Sequence, residues 1–176
     1  MSNKKERGFT LIELLVVIAV IGILAGVILA SLGTSRNKGA DAAIESELRQ
    51  IQTQAALYYD TYKYYGSLAI GACHATTDTN PVTWSVFYDP TFKSIIEKAG
   101  TIAGGTVSGT PPSTTISMTA CAGAADSQSF ATAVQLKSSN ATAWCVDSSG
   151  NSKLEPITAN LPTSAMGYSG SVMKCK

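Results

Sequence analysis

The hydrophobic pattern begins with one long apolar run near the N-terminus. From Leu14 to Ala30 no side chain is polar, and Phe9 to Ile12 precede this stretch. Extended to Leu32, the run predicts a helix of about 24 residues, roughly 36 Å long. A helix of this length can span a bilayer. Glu13 is the one ionisable residue inside it, and an acid placed there is expected to have a function and a partner.

A second periodic stretch follows the apolar run. Its apolar side chains recur every three or four positions, which is typical of one face of an α-helix packed on other structure. They are Ile44, Leu48, Ile51, Ala55, Tyr58 and Tyr62. If the region from Gly33 to Gly39 stays helical, one helix runs from Phe9 to about Tyr65. A coiled coil is the alternative use of this stripe, and packing on a sheet is the simpler one.

The remaining pattern is mixed. Asp89, Pro90 and Gly100 predict the cap, first residue and end of a short helix over Pro90–Ala99. Alternating or β-branched runs predict an antiparallel sheet of three or four strands. These runs are Thr114–Cys121, Phe130–Leu136 and Ala143–Val146. We expect loops over Gly66–Val82 and Gly104–Ser113, and the tail from Pro156 to Lys176 has little periodicity. The fold class is therefore α+β.

Charge is sparse and unevenly placed. Charged residues make up 14% of the 176 residues, and the net charge is only +1. Lys4, Lys5 and Arg7 oppose a single Glu6 before the apolar run, which predicts a cytoplasmic N-terminus for the helix. The rest of the chain is nearly neutral, so the net charge does not support nucleic acid as a partner.

The four cysteines all follow the apolar run. Cys73, Cys121, Cys145 and Cys175 have no C-x-x-C spacing, and His74 is the one histidine, which does not suggest a zinc site. An even set beyond a membrane helix favours two disulfides in an oxidising compartment, with four buried free thiols as the alternative. The spacing leaves three connectivities open.

The start of the chain carries a processing pattern. A short basic leader ends at Gly8 and the chain becomes apolar at once. Cutting after Gly8 would leave the amine of Phe9 one helical turn before Glu13. An ordinary secretory signal would instead be cut near Ala30, where the small-residue site is weak.

The residues from Lys4 to Val17 resemble the class III signal of type IV pilins and the related pseudopilins. The likeness covers about the first thirty residues, with leader charge, Gly8, Phe9, Glu13 and apolar run in register. It implies that a prepilin peptidase cuts after Gly8 and that Phe9 is N-methylated. It also implies that Glu13 pairs with the Phe9 amine of a neighbouring copy.

The resemblance further implies a pilin-like fold, with a long N-terminal helix packed on a small antiparallel sheet. The expected parts are a leader (1–8), a transmembrane and assembly helix (9–32), its amphipathic continuation (33–65) and a globular α+β head (66–176). By analogy with other pilins, the expected disulfides are Cys145–Cys175 and Cys73–Cys121. The chain lacks the proline that the family often has between Phe9 and Leu32.

The expected function is structural: a pilus subunit of the bacterial inner membrane that polymerises with copies of itself into an extracellular filament. Its partners would be the membrane, the prepilin peptidase and the assembly machinery. The alternatives are a pseudopilin of a type II secretion or DNA-uptake system, or a minor tip pilin that acts as a binding module. No pattern predicts an enzyme, a cofactor or a metal, because Asp147 in a Ser-Gly segment is more typical of a turn than of a calcium site. Adhesion, motility and secretion all remain open.

Overall fold

The computed structural model describes residues 9–71, 73, 85–108, 115–116, 118–158, 162–169 and 172–176. By its internal contacts the chain divides into two units, residues 1–36 and residues 37–176. One helix, α1 (Leu11–Tyr62), contains 52 residues and contributes to both units. It ends where Lys63 adopts a left-handed backbone conformation, with φ of 64°.

The described residues of the first unit are Phe9, Thr10 and the first part of α1, which is mostly apolar. Its described large apolar side chains, from Leu11 to Leu32, are all exposed. A bilayer-length apolar segment forms a helix because each backbone N–H and C=O then finds its partner within the segment. The four glycines at 22, 26, 33 and 39 do not interrupt it. The prediction of one continuous helix through this region is therefore confirmed.

The second unit buries the predicted stripe of α1. Ile44, Leu48, Ile51 and Ala55 are fully buried and Tyr58 nearly so. Tyr62 is the exception in the stripe, because it lies in the last turn of the helix and is 43% exposed. The stripe packs on a sheet, as expected, rather than on another helix of the same kind.

The strands among the described residues are β1 (Leu68–Gly71), β2 (Val107–Ser108), β3 (Thr115–Ile116), β4 (Thr119–Gly123), β5 (Phe130–Gln135), β6 (Thr142–Asp147), β7 (Ser152–Pro156), β8 (Met166–Ser169) and β9 (Val172–Cys175). Five of them form one antiparallel sheet in the order β1-β4-β5-β6-β7. The other four form two separate antiparallel pairs, β2 with β3 and β8 with β9.

The predicted strands are present, with one interruption. The run Thr114–Cys121 is divided into β3 and β4 because Met118 has a positive φ of 63°, which no extended strand allows. The expected loops over Gly66–Val82 and Gly104–Ser113 were wrong in part, because β1 and β2 lie within them. The C-terminal tail, whose sequence has little periodicity, contains the hairpin β8–β9.

The second helix, α2 (Pro90–Ala103), begins as predicted. The Asp89 carboxylate accepts hydrogen bonds from the backbone N–H groups of Thr91 and Phe92, both at 3.0 Å. Its end was predicted too early: Gly100 is buried within the helix, and Gly104 terminates it with φ of 98°. A glycine signals a helix end only where the backbone becomes left-handed, and the sequence offers two candidates four positions apart.

Residues 37–176 form three layers. Because side chains alternate along a strand, the sheet has one face with Phe130, Val134 and Val146 and another rich in alanine. The α1 stripe and α2 cover the first face. The hairpin β8–β9 and the short 3-10 helix Pro162–Ala165 cover the alanine face. Its alanines are Ala120, Ala122, Ala131, Ala133 and Ala143.

Two disulfides join parts of this unit. Cys73 is bonded to Cys121 and Cys145 to Cys175, the pairing that the resemblance to other pilins favours. The first bond lies in the cluster on the helical side of the sheet, and the second lies in the cluster beneath the hairpin. No described cysteine is free.

Candidate assembly site at the start of the long helix

Thr10 and Glu13 form a reciprocal pair at the first turn of α1. Glu13 Oε2 accepts hydrogen bonds from the Thr10 backbone N–H at 2.9 Å and from the Thr10 hydroxyl at 2.7 Å. The Thr10 hydroxyl oxygen in turn accepts a hydrogen bond from the Glu13 backbone N–H at 3.3 Å. This arrangement is a capping box, which satisfies donors at a helix start that have no partner within the helix.

The capping box occupies one oxygen of the Glu13 carboxylate and leaves the other available. Both hydrogen bonds end on Oε2, and Oε1 accepts none from the part of the chain that the structure describes. The box also restrains the carboxylate to the first turn of α1, against Thr10. A second donor, such as a cationic amine from outside the chain, can therefore bind Oε1 while Thr10 holds Oε2.

Apolar surface surrounds this site. Phe9 is 80% exposed, and the large apolar side chains that follow it on α1 are exposed around the whole helix. By length and composition, α1 alone among the described helices could cross a membrane. A helix that is hydrophobic all round is stable when lipid or other apolar protein surrounds it, so the chain's own fold leaves this segment incomplete.

Four glycines of α1 also have open space beside them. A Cβ atom placed at Gly22, Gly26, Gly33 or Gly39 would meet nothing within 4 Å. Glycine in a helix interior costs about 1 kcal/mol relative to alanine, and no contact inside the chain requires it at these positions. Close approach of another helix is a use for such residues that the isolated chain does not display.

The predicted site residues are distributed as follows. Gly8 lies outside the described residues, so its proposed cleavage stays a prediction, as does the methylation of Phe9. Phe9 and Glu13 lie within five residues of each other, at the start of α1. The neighbouring chain that would bring an amine to Glu13 is not part of the structure.

Sequence reasoning missed Thr10. Its signal was present, because a threonine followed three residues later by a glutamate, just before an apolar run, is the sequence signature of a capping box. The energetic cost of a carboxylate in a membrane helix predicts a partner for Glu13 from another chain. The structure adds a partner within the same chain, Thr10.

Asp147 lies far along the chain and organises the turn between β6 and β7. Oδ1 accepts hydrogen bonds from the backbone N–H of Ser149 at 2.9 Å and from the Ser149 hydroxyl at 2.6 Å. Oδ2 accepts from the Asn151 side-chain amide at 2.8 Å and from the Cys175 backbone N–H at 3.0 Å. Burial alone would raise the pKa of this carboxyl, but the hydrogen bonds to Ser149, Asn151 and Cys175 outweigh burial and hold it below its ordinary value.

The long apolar helix and the small antiparallel sheet together define a pilin-like α+β protein. A family model described as the prokaryotic N-terminal methylation motif matches residues 3–29. This is the class III signal motif of type IV pilins, so the chain carries that signal, which supports a type IV pilin-like or pseudopilin-like protein. The motif implies a structural rather than a catalytic protein, and with α1 it fits anchoring in a membrane. No curated protein and no solved structure matches the chain.

Proposed function

We propose that this chain is a structural subunit of a type IV pilus. A prepilin peptidase removes residues 1–8, and the subunit stays in the inner membrane until it is assembled into the filament. The observation that carries the proposal is the methylation motif at the head of an apolar helix that the chain itself leaves uncovered. Polymerisation of the helices into a filament core supplies the missing cover. Residues 37–176 then form the outer part of each subunit.

In the proposed filament, Glu13 binds the amine of Phe9 from a neighbouring subunit. Each charge offsets the desolvation of the other, which otherwise costs several kcal/mol per ion in an apolar interior. Thr10 supports this pairing because it holds Oε2 and leaves Oε1 without a partner among the described residues. A short-range pair also fixes the axial offset between two subunits, because only one offset brings the two groups together.

The proposed ion pair also requires that cleavage after Gly8 comes before assembly. Before cleavage, the nitrogen of Phe9 belongs to a neutral peptide bond with Gly8 and carries no positive charge. Cleavage creates the amine, and N-methylation leaves it cationic. A subunit therefore acquires its half of the proposed ion pair only after processing.

Mass spectrometry of the mature chain tests the processing step. The expected N-terminus is N-methylated Phe9. A chain that starts at Met1, or that is cut near Ala30, would contradict the proposal. The measurement needs no assumption about what the filament does.

Electron microscopy of cells tests the filament. Surface filaments built mainly of this chain, and lost when its gene is deleted, are expected of a pilus subunit. Filaments that persist in the deletion strain would contradict this role. Loss of filaments that are built of another subunit would instead indicate a minor pilin, and secretion without surface filaments would indicate a pseudopilin.

A further inference from the structure

Strand β7 forms one edge of the five-stranded sheet, so one side of its backbone has no partner strand among the described residues. An open edge carries unpaired N–H and C=O groups, to which another chain can add a strand. The groups that point outward from β7 therefore determine whether a second copy of this chain can add its own β7 there.

Hydrogen bonds at both ends of the β6–β7 pair show which groups point inward. The Asp147 N–H donates to the Asn151 carbonyl at 3.1 Å, and the Ile157 N–H donates to the Ala141 carbonyl at 2.9 Å. Both bonds continue the register of the two strands. Bonded and non-bonded residue pairs alternate along an antiparallel ladder, so residues 153 and 155 of β7 are also bonded to β6.

The other residues of β7 are Ser152, Leu154 and Pro156, and their backbone groups point away from β6. Ser152 and Leu154 each offer a donor and an acceptor to an added strand. Pro156 offers only an acceptor, because proline has no N–H group. Two positions further on, the Thr158 N–H is occupied, since it donates to the Ser164 hydroxyl at 2.9 Å. Beyond Leu154, neither of these two positions supplies a free donor.

Pairing of two β7 strands in the register centred on Leu154 fails at the proline. This register sets Ser152 of each copy opposite Pro156 of the other. A bonded pair normally exchanges two hydrogen bonds, but a pair that contains Pro156 exchanges one. The Ser152 carbonyl of each copy is then left without a partner, and an unpaired buried acceptor is costly.

The register centred on Lys153 avoids the proline but is weak for two other reasons. It sets the Lys153 side chains of the two copies directly opposite each other, and like charges in that position are destabilising. The Glu155 carboxylate, 2.7 Å from Lys153 Nζ, offsets only part of this repulsion. The register also has just two bonded pairs, which join Ser152 to Leu154, and so short a ladder is not stable by itself.

We infer that Pro156 closes this edge of the sheet to a second copy of the chain. Proline on an edge strand, with its missing N–H on the open side, is a device that prevents association through sheets. The inference goes beyond the proposed function, because it concerns a contact that the fold prevents. It depends only on residues 37–176, so it holds whether or not the chain is a pilus subunit.

Replacing the proline tests the inference. Pro156→Val supplies an N–H at the closed position, and Leu154→Val is the matched control, because it places the same β-branched residue on the same edge without adding a donor. Light scattering of the full chain in detergent, over a series of concentrations, measures association between copies. Any association through the apolar part of α1 is common to the wild type and both variants.

Pro156→Val is expected to associate at least about tenfold more tightly than the wild type, because each copy gains a donor and the opposite carbonyl gains a partner. Leu154→Val is expected to associate as the wild type does. Equal association of Pro156→Val and the wild type would overturn the inference. An equal increase in both variants would also overturn it, because β-propensity would then explain the result.

Amide hydrogen exchange tests the wild-type chain directly and locates the contact in the variant. In the wild type the Leu154 amide should exchange fast and the Lys153 amide slowly, because only the latter is bonded to β6. In associated Pro156→Val the Leu154 amide should become slow. A protected Leu154 amide in the wild type, or a fast one in the associated variant, would overturn the inference.

Pro156→Thr supplies the same N–H and replaces Pro156→Val if the valine variant does not fold. Equal unfolding midpoints of the variant and the wild type establish that the fold is kept. Absence of surface filaments from wild-type cells would overturn the proposed function and leave this inference standing.

Discussion

Cys121 and Cys145 face opposite sides of one sheet, although a single strand separates the strands that carry them. Their register partners, Thr132 and Ala133, are consecutive residues of β5, and consecutive residues of a strand point to opposite faces. The disulfide of Cys121 therefore stabilises the side covered by helices. The disulfide of Cys145 stabilises the side covered by the C-terminal hairpin.

Removing the disulfides one at a time should loosen different layers. The double variant Cys145→Ser/Cys175→Ser opens a loop with a sequence separation of 30 residues and should lower the free energy of unfolding by about 2–4 kcal/mol. Hydrogen exchange should become faster in β8 and β9 and stay slow in the buried stripe of α1. Cys73→Ser/Cys121→Ser should instead speed exchange in β1. Identical exchange patterns in both variants would contradict the assignment of one disulfide to each face.

Asp147 should make stability depend on acid pH. Its folded pKa lies below the ordinary value, so the stabilisation is fully present above about pH 4, the unfolded pKa, and is lost as pH falls towards the folded pKa. Asp147→Asn should cost about 2–3 kcal/mol at pH 7, because the amide cannot accept all the hydrogen bonds that the carboxylate accepts. Denaturant unfolding of the full chain in detergent at pH 7 and pH 3 measures both effects.

The gap between Asp147→Asn and the wild type should narrow at pH 3, and a gap of constant size would refute the role of the ionised carboxylate. Asp126→Asn is the matched control. Asp126 is exposed, and its Oδ1 accepts a hydrogen bond from the Gln128 backbone N–H at 3.0 Å. Its replacement should cost less than about 1 kcal/mol at either pH.

An ion pair connects α1 with α2. Glu47 is only 7% exposed, and its Oε1 lies 2.5 Å from Lys98 Nζ. Lys98→Met should cost about 1–3 kcal/mol of unfolding free energy, less than for a fully buried pair because the lysine itself remains largely in water. The further change Glu47→Gln should restore part of the loss, since it removes the unpaired charge.

Lys93→Met provides the comparison for that variant, because Lys93 Nζ lies 3.9 Å from Glu97 Oε1 within a single helix. Its expected cost is below about 1 kcal/mol. Urea unfolding of Lys93→Met and Lys98→Met measures the two losses of unfolding free energy. A loss in Lys93→Met as large as that in Lys98→Met would show that the buried carboxylate is not the cause.

Thr10 should affect assembly through Glu13. Thr10→Val removes the hydroxyl that donates to Glu13 Oε2, while Thr10→Ser keeps it. Loss of a capping hydroxyl costs about 1 kcal/mol, which corresponds to a roughly fivefold change in an equilibrium constant. Filament yield should therefore fall in Thr10→Val and be retained in Thr10→Ser, with the N-terminus checked by mass spectrometry in both. Equal filament yields in Thr10→Val and Thr10→Ser would show that the capping box does not contribute to assembly.

The sequence was most informative where one physical constraint acts alone. The apolar run and the stripe from Ile44 to Tyr58 predict α1, because helix periodicity and bilayer length leave few alternatives. The start of α2 was predicted as well, since Asp89 before Pro90 is a local capping signal. The same kind of local pattern predicts Phe9 and Glu13 as site residues.

The parts that escaped prediction depend on distant neighbours. Strand β7 contains one large apolar residue, Leu154, and its pairing is decided by β6 rather than by its own pattern. The hairpin β8–β9 is held by Met166, Met173 and a cysteine against alanines, and alanine carries little periodic signal of its own.

The alanine face also determines where the chain has freedom to vary. Because these side chains are single methyl groups, the hairpin lies close to the sheet, and any larger residue there has to displace it. Along β9, Met173 and Cys175 face inward, whereas Val172 and Lys174 alternate with them. The residues of β9 that do not face the sheet can therefore be replaced during evolution, while those that face it keep the hairpin at a constant distance from the sheet.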